Sequence, residues 1–147
     1  MKRAFAISIL LTLLAGCHTD IVTTAQLKAI ENKCVHIELI ESQDPYAGKV
    51  LRDMLEKEFV RKQVQLCDAN TANIIITGSS FTSYRSAGKD GMFGSRESAA
   101  EAIEAISLTA RDSAGNVLLT ASYDNSEQLT AGKLAREFGS ALAGKLK

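Results

Sequence analysis

Aromatic residues are scarce in this chain. They make up 5% of its 147 residues, and tryptophan is absent. Surfaces that stack sugars or bases are built from such rings, so a carbohydrate- or base-stacking platform is not indicated. An excess of one charge is missing too, with 17 Lys and Arg against 17 Asp and Glu. Nucleic-acid binding ordinarily needs a concentrated basic surface, and this balance offers none. Histidine occurs only as His18 and His36. Neither belongs to a His-Glu-x-x-His or carboxylate-loop spacing, so no metal or other cofactor is called for. A phosphate loop is also lacking: Gly88-Lys89 is followed by Asp90, and the upstream glycine is not at the required distance. A hydrolytic triad would have to join His36 to a remote Ser79 or Ser80, and serine is too common here for that to count. Catalysis is the least supported class.

Long apolar runs are equally few. The one that stands out extends from Ala4 to Leu14, broken only by Ser8 and Thr12. Lys2 and Arg3 precede it, and Leu14-Ala15-Gly16-Cys17 closes it. A positive start, a short apolar run and small residues form an export signal, too short and wrongly flanked for a transmembrane helix. The four closing residues resemble the lipobox of bacterial lipoproteins. That resemblance implies removal of residues 1–16 as a signal peptide and attachment of lipid, palmitate included, to Cys17. It also implies a sorting rule, by which an acidic residue directly after the cysteine retains the protein at the inner membrane. His18 stands there, so the implied address is the outer membrane, facing the periplasm. Each buried lipid CH₂ contributes about 0.8 kcal/mol, and several chains together hold a folded domain to a bilayer.

Removal of the signal would leave 131 residues, enough for one core. With Lys2 and Arg3 gone, 15 basic residues face 17 acidic ones, a net charge of −2. Cysteine is then reduced to Cys34 and Cys67, 33 residues apart. In an oxidising compartment a disulfide is the default for such a pair. A redox-active pair would want Cys-x-x-Cys spacing, which is absent. Two free buried thiols are the other alternative.

Proline occurs once, and it marks the clearest element. Asp44 can cap a helix, Pro45 suits its first position, and Ala47, Val50, Leu51, Met54, Leu55 and Phe59 recur on one face. Lys49, Glu56, Lys57 and Glu58 are expected on the wet side. Before it, residues 17–33 read as a lipidated tether with one short helix, on the capping-box spacing of Thr23 and Gln26. Val35 to Ile40 alternates as a strand, and Val64 to Leu66 supplies another. Ile74-Ile75-Ile76 suggests a central strand covered on both faces. Residues 85–98 read as a long glycine-rich loop, with Arg85, Lys89 and Arg96 around an apolar Met92-Phe93 pair. Residues 102–111 and 117–123 form a hairpin about Asp112 to Asn116. Ser126 is expected to cap a last helix to Leu146, whose glycines would allow close approach to the sheet.

The expected fold is α/β (α+β), a four- to five-stranded mixed sheet with two helices on one face, in the order β-α-β-β-loop-β-β-α. Signal, tether and domain occupy residues 1–16, 17–33 and 34–147. That order, with Asp44-Pro45-Tyr46-Ala47 and the Arg111 to Asn116 turn, resembles a group of small envelope α/β domains. They are those of the curli-secretion lipoprotein, the TolB amino-terminal domain and the penicillin-binding-protein activator lipoproteins. The resemblance implies an assembly or protein-contact module and no catalysis. The long extra hairpins that a secretion pore would require are not evident. The leading reading is thus a membrane-anchored, periplasmic protein-binding or assembly-accessory lipoprotein. Its partners would be the bilayer, through acylated Cys17, and an envelope protein or a second copy of the chain, with the loop Arg85, Lys89, Met92, Phe93 and Arg96 as contact. A carrier or chaperone for a small apolar ligand or lipid is the alternative, needing a cavity between helices and sheet.

Overall fold

A computed structural model describes residues 19–87, 98–126 and 129–147. In order, the elements are β1 (Thr19–Thr23), α1 (Ala25–Ala29), β2 (Cys34–Ile37), β3 (Glu41–Ser42), α2 (Pro45–Arg61), β4 (Gln65–Leu66), β5 (Ile74–Ala87), β6 (Ser98–Asp112), β7 (Val117–Asp124) and α3 (Ala131–Leu146). The seven strands form one mixed sheet in the order β1-β7-β6-β5-β2-β4, with β3 paired to β5 beyond the end of β2. The α/β class holds. The strand count and order differ from the expected four or five.

Three differences have local causes. Thr19–Thr23, expected as tether, is an edge strand antiparallel to β7, and Leu27 of α1 is buried in the core. Thr24, not Thr23, precedes α1, and its hydroxyl donates to the Leu118 carbonyl at 3.1 Å instead of capping the helix. The strand expected over residues 35–40 breaks after Ile37, and the alternation slips: Leu39 is exposed whereas Ile40 is buried. The segment expected as a loop from residue 85 is strand up to Ala87 and again from Ser98, so β5 and β6 make a long hairpin after all.

α2 starts as its sequence dictates, with the Asp44 carboxylate accepting from the Tyr46 amide at 2.8 Å and Pro45 at the first position. α3 starts later than Ser126. Thr130 is its cap, accepting from the Lys133 amide at 3.4 Å. Leu51, Leu55 and Phe59 of α2 and Leu134, Phe138 and Leu142 of α3 meet Val35, Ile37, Ile74, Ile76, Ile106, Leu108, Leu119 and Ala121 in one core. Tyr123 and Phe138 add a tilted ring pair with centroids 6.0 Å apart. Ile75 turns away from this core and is half-buried, so the Ile74–Ile76 strand is not covered on both faces.

Glu58 departs most from expectation. It is buried between the helices, accepting from Arg61 at 3.0 Å and from the Ser140 hydroxyl at 2.8 Å. Gly139 makes room for it, since a Cβ there would stand 3.2 Å from Glu58 Cβ. This close approach is to α2 and not to the sheet. Gly132 and Gly144 have open space around them.

Candidate functional site

Because the described helices gather on one face, no described element covers the other face of the sheet. Alternation assigns it Val22 on β1, Thr120 and Ser122 on β7, Ser107 and Thr109 on β6, and Thr77, Ser79 and Phe81 on β5. Small hydroxylated residues therefore pave it. Phe81 is 55% exposed and Val22 57%, which makes them apolar points in a polar floor. A groove of about 550 Å³ runs over it between Asp20, Ser79, Phe81, Ser107, Ser122 and Asp124. A second, of about 340 Å³, lies beside Glu38, Leu39, Glu41 and Thr77. This surface is broad, shallow and fringed with carboxylates.

The second feature is the hairpin itself. β7 stops pairing with β6 at Asp124 and Ala105, and β3 stops pairing with β5 at Ser42 and Ser80. β5 and β6 stay paired out to Ala87 and Ser98. Residues 82–87 thus leave the sheet as a two-stranded ribbon that reaches roughly 20 Å at strand rise. A bulge marks its base: Phe81 pairs with Ala105 and Thr82 with Ile103, leaving Glu104 as the extra residue. Asn125 holds that bulge. Its amide donates to the Glu104 carbonyl at 2.8 Å, and its Nδ2 to the Ile103 carbonyl at 2.6 Å. Its Oδ1 accepts from the Leu129 amide at 2.7 Å, which ties the same knot to the approach of α3. The Ser83 hydroxyl donates to the Glu104 carboxylate.

A disulfide joins Cys34 and Cys67, with Cα atoms 5.7 Å apart. It closes the β2-α2-β4 unit where Cys34 pairs with Gln65 and the Cys67 amide donates to the Val35 carbonyl at 2.9 Å. His36 places Nδ1 3.2 Å from the Cys67 carbonyl. Its partner on β5 is Ile75, four residues from Ser79, so about 13 Å separates the imidazole strand position from that hydroxyl. The structure does not bring the two into hydrogen-bond reach. Among the described residues no three His, Cys, Asp or Glu are placed to hold a metal ion. No described helix is long and apolar enough to cross a membrane.

Of the expected contact residues, Arg85 lies in β5 opposite Ala100. Lys89, Met92, Phe93 and Arg96, like Cys17, lie outside the described residues. Glu58 and Asn125 were missed. Glu58 had a signal, for it stands seven residues after Leu51, two helical turns along the buried stripe. Asn125 had none for its hold on the bulge, because Ile103 and Glu104 lie on β6 about twenty residues before it.

Two structures of PelC from Paraburkholderia phytofirmans, both dodecamers and one a single-residue variant, share this architecture. They superpose with TM-scores of 0.55 and 0.53 at 12% and 14% identity, over 87% of this chain and 95% and 96% of theirs. The fold resembles that of PelC. A PDZ domain protein from Parabacteroides distasonis matches with a TM-score of 0.53 at 11% identity, over 85% of this chain and 34% of its own. At such identities the likeness is one of fold alone. No protein-family model and no curated protein sequence matches the chain.

Proposed function

We propose that this protein is an outer-membrane lipoprotein, anchored through Cys17, whose periplasmic domain is a protein-binding module in an envelope assembly. The observation that carries the binding role is the sheet face that no described helix covers. It is wide and shallow, with Phe81 and Val22 exposed on a floor of serine and threonine. Flat surfaces with a few apolar anchors suit protein contact better than capture of a small molecule. The carrier alternative gains less support, because the space between helices and sheet is filled by Phe59, Phe138 and their neighbours. The dodecameric state of PelC supports a second copy of the chain as one partner.

Site-specific photo-crosslinking in intact cells tests this reading. A benzophenone side chain at Val22, Phe81 or Ser107 should trap one discrete protein, or the chain itself. The same group at Lys57 or Arg136, on the helix side, should not. Equal yields from both faces, or none from the sheet face, would refute the assignment.

A further inference from the structure

We infer that the end of the sheet from which the β5–β6 ribbon projects meets the lipid bilayer, and that the ribbon is a second membrane contact lying in the headgroup zone. This rests on acylation of Cys17 and adds to it an orientation that strand register supplies.

Thr19, Tyr123, Ile106 and Ser80 form one row across four neighbouring strands. From that row β1 runs inward, Thr23 lying opposite Leu119, so its N-terminal end, the end nearer Cys17 in sequence, faces outward. β5 leaves the same row outward from Ser80 to Ala87, past the end of β7 at Asp124. Anchor and ribbon therefore quit the sheet at one pole. The Asp112 to Asn116 turn lies at the other, since Asp112 pairs with Ile74.

Lengths then decide the outcome. Two residues from Cys17 to Thr19 span at most about 7 Å. The ribbon extends roughly 23 Å beyond Ser80, at a lateral distance of about 14 Å for three strand spacings. So short a tether holds the domain against the surface, and the ribbon outreaches the tether about threefold. Sheet twist of about 20–25° per strand turns β5 by some 60–75° from β1, so the ribbon leans across the surface instead of entering end-on.

Backbone chemistry limits the depth. Beyond Ser80 and Ala105, no described strand pairs with the outer edges of the ribbon. Apart from the Glu104 and Ile103 carbonyls, which Asn125 binds, the edge N–H and C=O groups of a two-stranded ribbon call for headgroups and interfacial water, which hydrocarbon cannot replace.

The test uses the whole mature protein, purified from membranes and reconstituted into phosphatidylethanolamine–phosphatidylglycerol vesicles containing headgroup-nitroxide lipid. An environment-sensitive fluorophore is attached to Ser86→Cys or Ser98→Cys on the ribbon, or to Ser113→Cys in the far turn. Quenching at both ribbon positions should exceed that at position 113 at least threefold. Equal quenching at all three in a chain whose mass shows an acylated Cys17 overturns this inference alone, and points to a protein as the ribbon's partner. A mature chain without the acyl group overturns the anchor and this orientation together.

Discussion

Single side chains hold this fold at places that sequence spacing does not advertise. Asn125 is 2% exposed and bonds the bulge in β6 to the approach of α3. Asn125→Ala would leave the Ile103 carbonyl and Leu129 amide without these partners, at a cost of about 1–3 kcal/mol. Urea unfolding should show the loss as a lower midpoint with an unchanged slope. Asp112 works in the open. The Asn116 side chain first, then the Asn116, Ala114 and Gly115 amides, hold its carboxyl below the usual carboxylate range. A lowered folded-state pKa gives stability that is present above the unfolded value of about 3.9 and lost as pH falls through the folded one. The stability gap between wild type and Asp112→Ala should therefore be constant above about pH 5 and shrink towards lower pH. This turn was legible because its chemistry is local. The charge of Glu58 argues for solvent, but its position on the stripe buries it where Ser140 and Arg61 satisfy the carboxylate.

Elements were legible where their signals are close in sequence. α2 announces itself through Asp44, Pro45 and a stripe of 3.6-residue period. β1 does not, since the described strand it pairs with is β7, about a hundred residues away, and no turn chemistry links them. The outer parts of β5 and β6 were hidden for a related reason. Ser86, Ala87, Ser98 and Ala99 have modest strand preference and are strands because they pair with each other. Glycines separate the helices by function. A Cβ at Gly48 would fall well inside contact with the Ile40 carbonyl, a backbone atom that cannot swing aside. Gly48→Ala should cost at least about 1–3 kcal/mol by thermal or chemical melting. Gly132→Ala and Gly144→Ala, which meet nothing within 4 Å, should each raise stability by up to about 1 kcal/mol.

For the whole molecule, one covalent link and one row of hydrogen bonds connect the fold to its location. The disulfide closes a span of 33 residues, and the chain-entropy relation gives about 3.7 kcal/mol for that loop. Reduction, or the Cys34→Ser/Cys67→Ser pair, should lower stability by that order, and a loss under about 1 kcal/mol would contradict the role given to it. At the other edge, pairing of Thr19–Thr23 with β7 makes the supposed tether part of the domain. Only His18 then separates the sheet from Cys17, and the proposed address and orientation both depend on that cysteine. The decisive measurement is the intact mass and first residue of the mature protein recovered from the outer-membrane fraction. A chain that starts at Cys17 and carries lipid acyl chains on it is the expected result. A chain that starts elsewhere, or keeps a free thiol at Cys17 and stays soluble after export, would contradict it.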